Sequence, residues 1–408
     1  MSAEHPVADG FDRLWSELSG VGRDESSGGY RRFAWTRTDH DLREWFAGQC
    51  RELGLELVED RAGNQWAWWG NPDQQPGVVV GSHLDSVPDG GAYDGPLGVV
   101  SALLAVRELR KKGITPSRPV GVVNFVDEEG ARFGVACAGS RIITGALTAE
   151  RALGLVDGDG VTMAEAWRKA GRDPETMGVD EEALRRVGSF VELHVEQGRA
   201  LQLLDDAPVA IGTNIWPHGR WRLDFHGCAD HAGTTALVDR DDALLKAAEF
   251  IGTVRAEAKG RDGKDGRLVA TVGKLAVLPG GVNAIASHVT AWLDARGEQE
   301  AQVTGLVADL EAAAARLDGT LKQESWTPTT HFDQGLVGRL AGMLPEVPQL
   351  GTGAGHDAGI LANHGTETAM LFVRNPTGVS HSPEEHAERD DCVGGVEALT
   401  TVLSGLAE

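Results

Sequence analysis

Between about Asp60 and Phe125 two almost uninterrupted apolar runs, PGVVVGSHL and PVGVVNFV, flank the segment GVVSALLAVRELRKKG. In that segment Val99, Leu103, Val106 and Leu109 recur at helical spacing, with Pro96 ahead of it, cations in the last turn and Gly113 after it. Strands that are apolar at nearly every position have no side fit for water, so they predict a mostly parallel sheet covered by helices on both faces. NQWAWWG reads as one more strand of this sheet, its tryptophans packing on the strand. Later, AGILANHG and TAMLFVRN return to the same pattern as helix and strand.

The middle of the chain reads differently. RWRLDFHG, a helix from about Asp241 to Ala258, LVATVGKLAVL, HVTAWLDAR, a helix from about Gln299 to Leu317, and TLKQESW follow in the order βαββαβ, the ferredoxin-like arrangement. The stretch AKGRDGKDGR at 258–267 reads as an exposed loop. A chain of 408 residues exceeds one ordinary core. The expected fold is therefore an α/β protein whose large domain, 1–208 plus 327–408, is interrupted by a smaller inserted domain, 209–326.

Charge narrows the partners. With 38 Lys and Arg against 61 Asp and Glu, a net charge of -23 disfavours nucleic acid and anionic membranes. An acidic substrate would need a local cationic pocket. No window reaches the roughly 18 apolar residues of a membrane span, and the opening MSAEHPVADG lacks the features of an export signal. A soluble cytoplasmic protein is expected. Cys50, Cys137, Cys228 and Cys392 lie far apart with no C-x-x-C pair, so neither a thiolate zinc site nor a disulfide framework is predicted, and all four read as small buried hydrophobes.

Four polar signals stand at strand ends, where ligands collect in a doubly wound sheet. VVVGSHLD delivers His83 and Asp85, followed by Asp94 in a Gly-rich loop; FVDEEG delivers Asp127, Glu128 and Glu129; FVELHVEQG delivers His194, Glu196 and Gln197; FVRNPTGVSHSPEE delivers His381. Asp85 stands two residues from His83, so it can accept the ring N–H that is not offered to a metal. Three imidazoles with carboxylates and no cysteine suit zinc or manganese, and also cobalt or nickel. Asp94 can bridge two ions, and of the adjacent Glu128 and Glu129 one can ligate while the other acts as general base. Any one of these residues alone has an ordinary explanation as a loop or cap residue. Four strand ends carrying them together do not, because so many buried charges need a cation.

These residues resemble the amidase branch of the M20 metallopeptidase family, which holds allantoate amidohydrolases, N-carbamoyl-L-amino acid hydrolases and β-ureidopropionases. The resemblance rests on GSHLDSVPDGGAYDGPLGV, DEEGARFGVACAGSR, ELHVEQG, ADHAGTTALVDRDDA, GAGHDA and GVSHSPEE, spread over nearly the full length. It implies two divalent ions per subunit held by His83, Asp94 (bridging), Glu129, His194 and His381, with Glu128 as general base, Asp85 orienting His83, and a cis peptide bond after Asp94. It implies that the inserted domain forms a homodimer, lending His231 to the neighbouring site to polarise the scissile carbonyl. Gln197, Asn283, Arg296 and Gly355 would hold the substrate, Arg296 gripping its carboxylate; by its residue type alone Arg296 could equally form a surface salt bridge. The related peptidases carry an acid where His194 stands, which favours an amidase acting on ureido or N-acyl groups. Arg374 and Asn375 replace the family's usual Pro-Ser, and could read a second acidic or amide group.

The expected reaction is hydrolysis of a linear C–N amide bond in a ureido acid, releasing ammonia and carbon dioxide. Allantoate ranks first as substrate, an N-carbamoyl-L-amino acid second, and an N-formyl or N-formimino acidic amino acid third. A catalytically silent metal-binding dimer acting as a scaffold is the alternative from another class; it would have no need of Glu128, His231 and Arg296 together.

Overall fold

The computed structural model describes residues 6–204 and 207–408. The first five residues, part of the opening stretch read above, lie outside the described residues. In chain order the strands are β1 (Glu56–Glu59), β2 (Gln65–Trp69), β3 (Gly77–His83), β4 (Val120–Phe125), β5 (Val187–Val195), β6 (Val209–Ile215), β7 (His218–His226), β8 (Leu268–Leu278), β9 (His288–Gly297), β10 (Gly319–Thr327), β11 (Thr330–His331), β12 (Gln349–Thr352) and β13 (Glu367–Val373). The chain divides into two compact units, one of 1–213, 331–350 and 355–408, the other of 214–330 and 351–354.

In the larger unit the sheet runs β1-β2-β4-β3-β5-β13-β6-β11, with β12 beside β6. Its four inner strands, β4, β3, β5 and β13, are mutually parallel, while β2 and β6 join antiparallel at either side. Every residue of β3 and β4 is buried, as their unbroken apolar character requires. Alternation along β5 sends its side chains to two covered faces. Leu193 lies under Gly395 of the helix Arg389–Ala407, whereas Glu192 points the other way and accepts the N–H of Ala358 at the head of the helix Asp357–His364. Residues 209–212 hydrogen-bond with β13, so the large sheet takes in a segment that the sequence pattern assigned to the insertion.

The smaller unit holds a four-stranded antiparallel sheet in the order β10-β7-β9-β8. Its connectivity, with helices Ala243–Arg261 and Glu300–Arg316 between strands, is the ferredoxin-like βαββαβ. Trp221, Leu223 and Phe225 of β7 and Val289, Ala291 and Leu293 of β9 form its core with Phe250, Leu306 and Leu310 of the helices. Intervening residues occupy the other face, including Asp224, Thr290, Asp294 and Arg296.

Two local readings are corrected. Cys228 is exposed while the other three cysteines are buried; it lies just beyond β7, where the chain has left the sheet. The first residues of 258–267 are helical, because the helix begun at Ala243 runs on to Arg261. Trp66 and Trp68 are buried and stacked, ring centroids 6.5 Å apart.

Candidate metal centre

Because β4, β3, β5 and β13 are adjacent and parallel, their carboxyl ends share one edge of the sheet. His83 is the last residue of β3 and His194 the penultimate residue of β5. Glu128 and Glu129 follow β4, where Asp127 adopts a left-handed conformation (φ 54°) that turns the loop. His381, also left-handed at φ 55°, follows β13. Asp94 precedes the helix Pro96–Lys111 through Gly95, whose φ of 86° and close approach to His83 exclude a side chain: a Cβ there would lie 2.4 Å from the imidazole. The only cis peptide bond among the described residues is Leu278–Pro279, so the expected cis bond after Asp94 is not found. The positive φ of Gly95 makes the turn instead.

The ligand atoms form two triplets that share Asp94. His83, Asp94 and His194 make one, Asp94, Glu129 and His381 the other, with the candidate atoms of each within 4.8 Å of one another. Asp94 Oδ1 is 3.1 Å from His194 Nε2 and 3.6 Å from His83 Nε2, while Oδ2 is 3.4 Å from His381 Nε2. Glu129 Oε2 is 3.5 Å from that same His381 nitrogen.

The donor set fits a pair of divalent cations. His83 Nδ1 lies 3.2 Å from the carbonyl of Asp85 and His194 Nδ1 lies 2.8 Å from that of Val195, an arrangement that places the ring proton on Nδ1. Each Nε2 then presents a lone pair towards Asp94, and both buried atoms lack a hydrogen-bond partner. Lone pairs facing a carboxylate repel unless a cation lies between them. Burial opposes protonation of His83, yet the surrounding carboxylates of Asp85, Asp94 and Glu128 hold its pKa well above the ordinary value. His381 is raised to about 9, chiefly by its hydrogen bond to Asp94. Acids that draw protons onto these rings draw a metal in the same way, so ion binding displaces protons.

Glu128 is buried, and its Oε2 stands 3.8 Å from His83 Nε2. Burial first, then the charges of Asp357 and Glu129, push its pKa well above the ordinary carboxyl range, while His83 pulls it down. Burial and the neighbouring Asp94 raise Glu129 to about 7. Cys137 donates its thiol to Glu128 Oε1 at 3.2 Å. The Asp85 carboxylate accepts the backbone N–H groups of Glu128 and Glu129 at 3.1 and 3.0 Å and lies 3.5 Å from His83 Nδ1. It therefore ties the β3 end to the loop that carries both glutamates.

Of the expected substrate residues, Gln197 lies in this cluster, its Nε2 2.7 Å from Asp94 Oδ2. Gly355 precedes His356 and the helix Asp357–His364 in the larger unit. His231, Asn283 and Arg296 belong to the smaller unit. There the Asn283 carbonyl accepts the N–H of Ala232, and His231 bridges to Ala284, which puts these two loops side by side. Arg296 is gripped by Asp294 at 2.7 and 3.1 Å and by the Gly353 carbonyl at 2.8 Å. Those contacts use three of its five N–H groups. Arg374 and Asn375 are committed elsewhere. Asp391 takes the Arg374 fork at 2.8 and 3.0 Å, and Asn375 caps the turn at Thr377 and Gly378. That corrects the suggestion that they read a substrate group.

Several residues of the site were not singled out from sequence. His356 lies against His194, ring centroids 4.5 Å apart, and burial holds its pKa well below the ordinary value. Asp357 accepts the Ser140 hydroxyl and Glu192 accepts that of Ser82, both within the buried layer behind the histidines. Glu385 accepts the N–H groups of Tyr93 and Asp94. The neighbourhood of each was visible, in GAGHDA, FVELHV and SPEE, but not its partner.

A family model described as peptidase family M20/M25/M40 matches residues 79–405. The chain belongs to this family. Among similar proteins, an N-carbamoyl-L-amino acid amidohydrolase of Geobacillus stearothermophilus is 37% identical over 97% of this chain and 98% of its own. A ureidoglycolate hydrolase of Arabidopsis thaliana is 30% identical over 98% of this chain and 87% of its own. The crystal structure of an amidase of the hydantoinase/carbamoylase family from Burkholderia vietnamiensis superimposes with a TM-score of 0.86 at 28% identity, covering 99% of both chains. The chain thus falls in the amidase branch: it is a hydrolase of C–N bonds other than peptide bonds, in a metal-dependent family. No helix among the described residues is long and apolar enough to cross a membrane.

Proposed function

We propose that this M20 amidase hydrolyses N-carbamoyl-L-amino acids, with His83, Asp94, Glu129, His194 and His381 holding two divalent ions, zinc or manganese, and Glu128 as general base. The observation that carries the reading is the pair of ligand triplets sharing Asp94, with Glu128 beside them. The 37% identity to an enzyme named for carbamoyl amino acids supports the substrate and moves it ahead of allantoate.

The cations, when bound, supply Lewis-acid polarisation of the carbamoyl oxygen and lower the pKa of the attacking water. Glu128, buried beside His83, takes a proton from that water and returns it to the leaving nitrogen. Asp85 holds the Glu128 and Glu129 backbone in place. His231, from a second copy of the chain, donates to the carbonyl oxygen as negative charge gathers there. Arg296, its plane fixed by Asp294, offers its remaining N–H groups to the substrate carboxylate, and Gln197, Asn283 and Gly355 complete the substrate contacts. The carbamate product decomposes to ammonia and carbon dioxide, leaving the free amino acid. Pairing through the smaller unit is supported by exposed Leu237, Val238, Leu278 and Val282, and by β8, an edge strand with outward Val269 and Leu275.

Ammonia release with added manganese or zinc tests the substrate. An N-carbamoyl-L-amino acid should exceed allantoate in kcat/KM by roughly 10-fold or more, the range a pocket contact provides. The reverse order would select allantoate, which presents the same ureido group and carboxylate; preference for N-formylglutamate would select the N-acyl reading. Metal binding with no turnover of any of them would favour the scaffold.

A further inference from the structure

Glu385 follows His381 by one helical turn's worth of sequence, yet its carboxylate is spent on the loop before Asp94, 291 residues away. Its Oε2 accepts the backbone N–H of Tyr93 at 2.8 Å and of Asp94 at 3.0 Å. Its Oε1 accepts the Ser380 hydroxyl at 3.2 Å, and the same hydroxyl lies 3.2 Å from Asp94 Oδ2. The side chain is buried, and Gly91 makes room for it: a Cβ at Gly91 would lie 2.3 Å from Glu385 Oε2 and 2.4 Å from its Cβ. One carboxylate thus fastens the loop bearing the shared ligand to the loop bearing His381.

The two triplets do not depend on this clasp equally. His83 and His194 stand on β3 and β5, and backbone carbonyls hold their rings. His381 stands on no strand, and half of its side chain is exposed. We propose that Glu385 is a positioning residue that holds the Asp94 and His381 loops in register, so that the ion site of Asp94, Glu129 and His381 depends on it far more than the site of His83, Asp94 and His194. This rests on the two-ion reading proposed above.

The test uses full-length protein stripped with a chelator and titrated with manganese or zinc, read as ions per chain and as stepwise affinities by calorimetry. Wild-type protein should bind two ions. Glu385→Gln should keep the first and bind the second at least about 10-fold more weakly, the loss expected of a buried contact to charged groups. Glu384→Gln, at the exposed neighbour, should behave as wild type. A Glu385→Gln protein that binds both ions with wild-type affinities, or loses both in parallel, overturns the proposal. If that variant does not fold, Glu385→Asp carries the test: it keeps the charge but draws the carboxylate back from the Tyr93 and Asp94 N–H groups, so a selectively weaker second ion supports the proposal and two ions bound with wild-type affinities overturn it. Wild-type protein that binds no ion removes the two-ion reading itself, a different result from failure of the clasp alone.

Discussion

The two halves of the centre are built by different means. The His83 and His194 half is strand-made: both histidines are buried, each ring is held by a backbone carbonyl, and hydrogen bonds across β3, β5 and β13 fix the backbone. The Glu129 and His381 half is loop-made, with His381 in a left-handed conformation and its ring half exposed. Asp94 belongs to both. The strand-made half is enclosed, and the loop-made half opens to solvent through His381.

The largest effect should come from breaking the strand-made half. His194→Ala should abolish turnover and leave the chain binding at most one ion weakly, which metal analysis of the dialysed protein would check. His381→Ala should lose one ion and keep the other, so equal loss in the two variants would erase the contrast. Glu128→Gln should keep both ions while kcat falls by roughly 10²–10⁴-fold, the usual contribution of a positioned base; activity close to wild type would remove Glu128 from its role. Acidification sharpens the contrast further. His381, raised to about 9, must release its proton to a metal, so the apparent affinity of the loop-made half should rise with pH up to about 9 and weaken as pH falls below it. A titration between pH 6 and 9 showing no such trend would contradict this. The smallest effect belongs to Arg374→Ala, far from either half in function: loss of the bidentate pair with Asp391 should lower stability by about 1–3 kcal/mol without changing ion stoichiometry.

The same contrast explains what could be read from sequence. Apolar strands announce themselves by composition, and parallel strands send whatever follows them to one edge, so His83, Glu128, Glu129, His194 and His381 are legible in the sequence as one group. The ferredoxin-like order of the smaller unit was legible for the same reason, since its strands alternate and its helices carry apolar stripes. Glu385 was not: its partners are backbone N–H groups in a loop 291 residues away, and no periodicity encodes such a contact. Nor was Glu192, an acid inside an apolar strand, whose acceptors are satisfied by Ser82 and by the helix starting at Asp357. The Arg374 fork could be recognised as a carboxylate binder, but the sequence could not say that Asp391 would fill it.

Asp94 is the one carboxylate common to both ligand triplets, and on the proposed function it joins two ions. Anomalous diffraction from crystals grown with manganese or zinc tests it most directly. Two peaks per chain, each within coordination distance of a different Asp94 oxygen, one also touching His83 and His194 and the other Glu129 and His381, are what this account predicts. Peaks elsewhere, or none at Asp94 in protein that binds metal in solution, would contradict it.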